Sequence, residues 1–518
     1  MSRFKKVVIV ASGLLINDRP PPAAAFVAGV CEKNNIDYDF FDLNIRIKKT
    51  LGDAKWHELY ARSSTTDSLE ELIIEDTDLD SQVRKLITES AQYILQQTPD
   101  LVAITAFSFQ QYLWTKLLCK ELKQQSTVTI VAGGNGISYT RSNGKSNGYL
   151  LCEQKLIDYY VLGEGDIALD GFFKGSFELG LNAAGDKYET WVPQLDNLDQ
   201  LTLPSYKKIP LDDYIAIREH GPTIVLTGSR GCIKRCTFCN VGAIWKKYKF
   251  RSADSIAGEI LKHHLEVGAN NFIFSDSLIN GSLRVFKELV HKLIDLQKQY
   301  PSLQSIKYTG QYIIRPQSQN SEEFFRLMKQ SGCHALQIGI ESGSEAVRLH
   351  MDKKFSNADI DYHLSMCSRY GITNSLLMFT GYPTETLEQH QETVQALKDW
   401  QKYLINDTIS SLVLNSPLII LKDTPLDAMR HELGLELYNN EYGNSLWSSS
   451  TNPDLTVEER YRRYIELVRL SIELGYTRPA EDVPNIINQL KSVNRFKGLS
   501  TAVLDQIKLP VGNLVIES

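Results

Sequence analysis

Three cysteines lie close together in the stretch GCIKRCTFC, as Cys232, Cys236 and Cys239. The preceding run TIVLTGS predicts a buried strand, so the cysteines fall on the loop that follows it. A structural zinc ion or a fully coordinated iron-sulfur cluster normally takes four protein ligands, and no second cysteine pair follows downstream. A disulfide with a spare thiol is disfavoured in a reducing compartment. The spacing favours an iron-sulfur cluster that lacks one protein ligand.

The composition is that of an ordinary globular protein. The 518 residues carry a net charge of −6 and are 42% hydrophobic and 23% charged, which predicts two or three domains and gives no reason to expect nucleic acid as a partner. The start MSRFKKVVIVASGLLI imitates a secretory signal, but VVIVAS equally fits a buried first strand. No apolar run is long enough for a membrane span. We therefore expect a cytoplasmic protein with reduced thiols and no membrane contact.

The elements that must position the cysteines follow an α/β pattern. Over residues 1–169, apolar strands alternate with helices, which predicts a Rossmann-like domain with a parallel sheet, interrupted near residues 48–80 by an insertion. Residues 170–220 are rich in proline and short polar residues, which is typical of a surface connector. Residues 221–426 hold six predicted strands and five intervening helices. This count predicts a partial (β/α)6 barrel of the TIM type, with functional residues at the carboxyl ends of its strands. Residues 427–518 are predicted to be mainly helical.

The cysteine loop resembles the signature of the radical S-adenosylmethionine (SAM) superfamily. In that superfamily C-x3-C-x2-C follows the first barrel strand, commonly with an aromatic residue before the last cysteine, here Phe238. The resemblance continues through FRSADSIAGEI, FIFSDS, QIGIESGSEAVRLHMDKK and FTGYPTETLEQH, which in order cover the barrel. It implies that the thiolates hold a 4Fe-4S cluster whose fourth iron is chelated by SAM. Reductive cleavage of SAM would then give methionine and a 5′-deoxyadenosyl radical.

The same resemblance implies further cofactor contacts at the strand ends. These candidates are Asp276, Arg315, Glu341, Ser342 and Gly381. Each polar residue could instead be a surface or ion-paired side chain, and a glycine that ends a strand is commonly part of a turn. Glu341 is favoured because strand-end position and motif context agree.

A Rossmann-like domain before such a barrel resembles the cobalamin-binding subgroup of the superfamily. The candidate residues at its strand ends are Ser108, Gly133, Gly134, Gly163 and Glu164. Thr105 is an alternative to Ser108 as the hydroxyl residue. No D-x-H-x-x-G motif follows the first strand, so a histidine of that motif is not expected on cobalt, and a domain that binds nothing stays open. A nicotinamide or flavin is less favoured because no G-x-G-x-x-G opens the first helix.

These resemblances imply a cobalamin-dependent radical SAM methyltransferase acting on a carbon or phosphorus of an unknown small molecule or peptide. A flavodoxin or ferredoxin is the expected electron donor. The alternatives are a non-methylating cyclase or rearrangement enzyme, and a binding protein without turnover. Methylthiotransferases carry three further cysteines in their first domain, whereas Cys31, Cys119 and Cys152 are scattered here.

Overall fold

The structure, a computed structural model, describes residues 3–15, 19–63, 78–108, 110–141, 144–176, 181–183, 191–214, 221–437 and 447–476. The chain divides into two compact units. One holds residues 1–226 and 258–272, and the other holds residues 227–257 and 273–518.

The first unit is built on one mixed sheet. Its strands are β1 Lys6–Ala11, β2 Asp37–Asp42, β3 Leu101–Thr105, β4 Thr129–Gly133, β5 Tyr159–Gly163, β6 Leu181–Ala183 and β7 Trp191–Val192. The order is β2-β1-β3-β4-β5-β6, with β7 also paired to β5. Strands β1 to β5 are parallel and β6 is antiparallel to β5. The predicted Rossmann-like sheet is confirmed, with an antiparallel edge strand that the sequence pattern did not reveal.

Helices cover both faces of this sheet. They are α1 Pro22–Lys33, α2 Leu43–Leu51, α3 Asp53–Ser63, α4 Asp78–Gln96, α5 Gln110–Gln125, α6 Asn135–Ser138, α7 Asn147–Glu153 and α8 Gly165–Phe173. Alternate residues of β1 therefore enter two separate cores: Val8 and Val10 enter one, and Val7 and Ile9 the other. A strand that is buried on both faces is expected to be continuously apolar, which explains the run KVVIVA.

The described part of the predicted connector packs against α1. The backbone N–H of Ser205 donates to the carbonyl oxygen of Ala25 at 2.8 Å. A Cβ on Gly29 would lie 2.1 Å from the carbonyl oxygen of Leu203, so only glycine lets the connector approach the helix this closely. Residues 177–180, 184–190 and 215–220 of the connector lie outside the described residues.

The barrel has the six strands that the sequence predicts. They are β8 Thr223–Leu226, β11 Asn271–Phe274, β12 Lys307–Tyr312, β13 Cys333–Glu341, β14 Thr373–Thr380 and β15 Ile409–Pro417. The order β15-β14-β13-β12-β11-β8 follows the chain, and the pairs from β12 to β15 are parallel. Two short strands, β9 Ser229–Arg230 and β10 Lys249–Phe250, form a separate ladder. The predicted partial barrel is confirmed.

The helices after β8 are α9 Val241–Ile244, α10 Ala253–Val267, α11 Leu283–Gln299, α12 Glu322–Gln330, α13 Glu345–His350, α14 Asn357–Tyr370, α15 Leu387–Trp400, α16 Pro425–Ala428 and α17 Val457–Leu474. A hairpin of β16 Leu435–Leu437 and β17 Trp447–Ser449 precedes α17. The predicted helix near the C-terminus is thus present, and its Tyr464 hydroxyl donates to the carbonyl oxygen of Leu414 on β15 at 3.0 Å. Residues 438–446 and 477–518 of the predicted helical region lie outside the described residues. Among the residues that are described, no helix combines the length and apolarity needed to cross a membrane.

Candidate functional site

The loop that carries the three cysteines is closed at its base by the ladder of β9 and β10. Ser229 pairs with Phe250 and Arg230 pairs with Lys249, in antiparallel register. Gly231 follows β9 with φ +81°, and a Cβ there would lie 2.8 Å from the carbonyl oxygen of Lys247. Glycine is therefore required where the two ends of the loop meet.

The middle of the cysteine loop is fixed to segments that follow three barrel strands. The Thr237 N–H donates to the Met351 carbonyl oxygen at 3.2 Å, and the Leu426 N–H donates to the Thr237 carbonyl oxygen at 2.8 Å. The hydroxyl oxygens of Thr237 and Tyr382 lie 2.9 Å apart. Residues beyond the ends of β13, β14 and β15 thus hold the loop at the carboxyl edge of the barrel.

The three cysteines are half-buried and form no disulfide. Burial raises the pKa of the Cys236 thiol to about 11, and burial also raises the pKa of the Cys232 thiol. The charge of Lys353 acts in the opposite direction on both thiols. Because the thiolate is the metal-binding form, binding of a metal to this loop would release protons.

The residues present fit a cluster better than a single ion. In the described parts of the chain, no three His, Cys, Asp or Glu side chains converge closely enough to hold one metal ion. The three cysteines instead line a common open cavity of about 940 Å³. Three soft thiol donors around such a space suit a group with several iron atoms and leave room for a further ligand.

A buried ion pair joins the predicted site residue Glu341 to Lys353. Lys353 Nζ donates to Glu341 Oε1 at 2.7 Å and to the carbonyl oxygen of Gly339 at 2.8 Å. The same ammonium lies 5.6 Å from the centre of the Phe238 ring, which itself makes an edge contact with Phe379. Glu341 has φ +67°, a conformation that non-glycine residues rarely adopt and that often marks functional positions. Sequence reasoning missed Lys353, since only the structure reveals its contact with Glu341.

Asp276 positions the start of the cysteine loop. Its carboxylate accepts hydrogen bonds from the Gly228 N–H at 2.8 Å and the Ser229 hydroxyl at 2.5 Å. Burial raises the pKa of Asp276 to about 6, although these two hydrogen bonds oppose the shift. In this structure the side chain contacts the backbone ahead of the loop.

Arg315 retains one free donor near the cysteine loop. Its guanidinium donates to the carbonyl oxygens of Asn280 at 2.9 Å and Gly281 at 3.3 Å. The buried Nε of Arg315 has no hydrogen-bond partner. Burial, followed by the charge of Arg315, lowers the pKa of Lys234 in the loop. An anionic group of a bound cofactor would satisfy this donor.

Ser342 and Gly381 are engaged by helices of the barrel unit. The Ser342 hydroxyl lies 3.2 Å from the Thr393 hydroxyl of α15 and accepts a hydrogen bond from the Ser344 N–H. Gly381 has φ +74°, and a Cβ there would lie 2.9 Å from Cγ of Arg460 on α17. The space beside Gly381 is thus filled by an arginine rather than left open.

In the first unit, three of the predicted residues lie close together at the carboxyl edge of the sheet. The buried hydroxyl of Ser108 has no hydrogen-bond partner. Gly134 has φ +104°, and a Cβ there would lie 2.4 Å from the carbonyl oxygen of Ala106, whereas a Cβ on Gly133 would lie 3.7 Å from Cβ of Val161, an ordinary contact. The chain continues from β1 to β2 on one side of β1 and then crosses to β3 on its other side, so the direction of strand addition reverses between β1 and β3. Open α/β sheets bind ligands at the carboxyl end of such a point. An unsatisfied buried hydroxyl at this edge of the sheet fits a polar ligand.

The other residues predicted in the first unit have structural partners. Thr105 donates to the carbonyl oxygen of Val10 at 3.4 Å. Gly163 has φ +86°, with Val192 O 2.8 Å from the position of its missing Cβ. Glu164 Oε2 accepts a hydrogen bond from the Leu195 N–H at 2.8 Å. Gly163 and Glu164 thus contact the connector.

Two known proteins are similar to this chain in sequence. A methyltransferase of Pyrococcus horikoshii, PH0819, described as uncharacterized, is 25% identical over 328 residues, or 60% of this chain and 66% of that protein. The anaerobic magnesium-protoporphyrin IX monomethyl ester cyclase of Rubrivivax gelatinosus is 25% identical over 348 residues, or 63% of this chain and 58% of the cyclase. The matches therefore span less than two thirds of the length of these relatives.

The fold is shared with a solved structure. The radical SAM methyltransferase TsrM from Kitasatospora setae, with cobalamin and a [4Fe-4S] cluster bound, superposes with a TM-score of 0.60 at 17% identity, over 85% of this chain and 81% of TsrM. At this identity the likeness concerns the fold alone. Residues 226–397, which include the cysteine loop, the last residue of β8 and the four barrel strands β11 to β14, match the Radical SAM superfamily. Residues 226–397 of this chain therefore form a domain of the radical SAM superfamily.

Proposed function

We propose that this radical SAM enzyme is a cobalamin-dependent methyltransferase that transfers a methyl group to a carbon or phosphorus of its substrate. The observation that carries the proposal is the unpartnered buried hydroxyl of Ser108, which follows β3 at the carboxyl edge of the first sheet, in a chain that also carries the cysteine loop. In this proposal the cysteine loop serves to generate the radical. The carboxyl edge of the first sheet binds a second cofactor, which carries the methyl group.

The residues have separable tasks in this proposal. The three cysteines would hold a 4Fe-4S cluster, which when bound supplies the electron for cleavage of SAM. Arg315, with its free Nε, would orient an anionic part of SAM, and Glu341 would accept hydrogen bonds from its polar groups. Phe238 would pack beside the cluster. Ser108, Gly133 and Gly134 would admit the corrinoid to the first unit.

The runner-up is a cyclase or rearrangement enzyme that does not methylate. It is supported by the similarity to the Rubrivivax gelatinosus cyclase, which covers a comparable share of the chain. The methyltransferase is favoured by the relative from Pyrococcus horikoshii and by the fold of TsrM. These two activities differ in the product formed, so product analysis separates them.

The test is anaerobic reconstitution with iron, sulfide and hydroxocobalamin, followed by desalting. The expected result is about four iron atoms per chain, as a 4Fe-4S cluster requires, with retained corrinoid absorption. Reduction in the presence of SAM should give 5′-deoxyadenosine. Retained iron with the corrinoid washed away would contradict the methyltransferase and favour the cyclase. Absence of deoxyadenosine after reduction would favour a binding protein without turnover.

Two cysteine variants test whether the iron is bound specifically by the cysteine loop. Cys236→Ala removes a loop thiol and should abolish both the cluster absorption and deoxyadenosine formation. Cys333→Ala removes a thiol that is fully buried on β13, away from the loop sequence, and should retain iron. Equal iron loss in both variants would contradict the assignment of the cluster to the loop.

A further inference from the structure

A row of polar side chains crosses four neighbouring strands of the barrel. Gln311 on β12 is in register with Gln337 on β13. Ser375 on β14 is in register with Gln337 on one side and with Ser411 of β15 on the other. Residues paired in register in this way lie side by side on one face of a sheet, and the hydroxyl oxygens of Ser375 and Ser411 are 2.7 Å apart. These four residues are called the polar row.

The polar row faces the interior of the barrel. Tyr312 and Asn374 both contact His363 of α14, on the side of the sheet that the helices cover. Each of these two residues is next in sequence to a member of the polar row. Because successive side chains of a strand point to opposite faces, the polar row lies on the face turned away from α14.

The same inner face also contacts the cysteine loop. Phe379 lies four residues after Ser375 on β14 and therefore points to the same side of the sheet. The centre of its ring is 5.0 Å from that of Phe238, the residue before the last loop cysteine. Four residues span about 13 Å along a strand. A molecule of modest size can therefore contact the polar row and approach the cysteine loop at the same time.

The two glutamines of the polar row have unused hydrogen-bonding groups. Gln311 and Gln337 are exposed, although β12 and β13 are inner strands of the six-stranded sheet. Neither side-chain amide forms a hydrogen bond within the part of the chain that the structure describes. Inward positions of TIM-type barrels are usually filled by bulky apolar side chains. Two unpartnered amides at such positions indicate that a ligand uses their donors and acceptors.

The surroundings of the polar row on β13 to β15 are uncharged. The next residues along these strands on the inner face are Gly339, Leu377 and Val413, which are in register with one another. The ion pair of Glu341 and Lys353 lies beyond them, and its two charges offset each other. A phosphate or carboxylate at the polar row would find no cation in the row itself. An uncharged polar group is therefore favoured there, because an unpaired ion is costly to desolvate.

We propose that the polar row binds an uncharged amide group of the substrate, with an apolar part of the same molecule lying toward Phe379 and the cysteine loop. The inference rests on the proposed function, because it assigns a substrate class to the same enzyme. A glutamine side chain offers a donor and an acceptor side by side, which complement those of a peptide-type amide. The substrate class is a neutral amide, which favours carbon over phosphorus as the atom that is modified.

The test is equilibrium binding of N-acetyl-leucine methylamide to the anaerobically reconstituted protein, measured by saturation-transfer NMR. Methylphosphonate serves as the anionic rival and should bind more weakly than the amide. Gln311→Leu and Gln337→Leu should each weaken binding of the amide by roughly fivefold or more, because each removes hydrogen bonds to it. Gln299→Leu, the same change at an exposed position on α11, should bind as the wild type does.

Thermal unfolding separates a binding role from a structural role. Neither amide has an internal hydrogen bond to lose, so the Tm of Gln311→Leu and Gln337→Leu should not fall. A lower Tm in both variants would assign the amides to the stability of the fold and overturn the inference. Equal amide binding by wild type and variants would also overturn it, as would tighter binding of methylphosphonate or no binding of the amide by the wild type.

The binding result is independent of the test of the proposed function. Equilibrium binding requires no turnover, whereas the proposed function is judged by deoxyadenosine formation and corrinoid retention. Absence of deoxyadenosine or of corrinoid would contradict the proposed function and leave the amide-binding result standing. Loss of amide selectivity with deoxyadenosine and corrinoid both present would overturn only the substrate class.

Discussion

Lys353 shows how a single residue behind the cysteine loop supports the site. Its ammonium satisfies the Glu341 carboxylate and the Gly339 carbonyl oxygen, and both charged side chains are nearly buried. Burial lowers the pKa of Lys353, but the charge and hydrogen bond of Glu341 together with the charges of Cys236 and Cys239 outweigh burial, so the pKa is raised. Lys353 is therefore expected to remain positively charged at neutral pH.

Lys353→Met should destabilise the protein by about 3–5 kcal/mol, because it leaves the Glu341 carboxylate buried without a cation. The measurement is the free energy of unfolding in urea. Lys354→Met is the matched control, since Lys354 is exposed and should change stability by less than about 0.5 kcal/mol. Lys353→Met/Glu341→Gln should recover part of the loss, and no recovery would contradict this account.

Gly381 is required by packing. Gly381→Ala should cost about 1–3 kcal/mol, because alanine is strained at φ +74° and its Cβ would press on Arg460. Gly258→Ala is the opposite case: the residue is exposed within α10 with nothing within 4 Å, so alanine should stabilise by about 0.5–1 kcal/mol. Thermal unfolding of both variants checks the prediction, and equal effects would contradict it.

At the scale of elements, the sequence predicted the cysteine loop and all six barrel strands, because hydrophobic alternation and cysteine spacing are local. It did not reveal the partners of Ser342 and Gly381, since Thr393 and Arg460 are distant in sequence. The positions of Ser342 and Gly381 in the family motifs predict that they bind a cofactor. Their contacts with later helices leave no pattern in the neighbouring sequence from which those contacts could be predicted. The proposed cofactor roles of these two residues stay predictions.

Helix α14 makes stability depend on pH through one buried residue. His363 Nε2 lies 3.0 Å from Asn374 Oδ1, and the ring packs near Tyr312 and Phe325. Burial lowers the pKa of His363 to about 4. Between the usual histidine pKa of about 6.5 and this value, the unfolded chain binds a proton that the folded chain does not, so stability falls as pH falls.

His363→Gln should remove this part of the pH dependence. From pH 7 to pH 5 the wild type should lose about 2 kcal/mol more stability than His363→Gln, at 1.36 kcal/mol per pH unit below about 6.5. The measurement is urea denaturation at the two pH values. Exposed His291→Gln serves as the control and should follow the wild type. A His363→Gln profile parallel to that of the wild type would show that the histidine does not titrate as described.

At the scale of the whole molecule, the two proposed cofactors belong to different units. Gly133→Leu adds a bulky side chain at the carboxyl edge of the first sheet, next to Val161, and should abolish corrinoid retention while iron and deoxyadenosine formation persist. Cys236→Ala should do the reverse. Iron analysis and visible spectra of both variants check this, and joint loss of both cofactors in either variant would contradict separate sites.

The surroundings of Trp447 are expected to affect its fluorescence. The Arg460 guanidinium of α17 lies 3.6 Å over the indole ring, and the indole N–H donates to the carbonyl oxygen of Leu418 at 3.0 Å. A positive charge at this distance alters the energy of the excited indole, and release of α17 would expose the ring to water. The emission wavelength of this tryptophan should therefore depend on whether α17 is packed against the barrel.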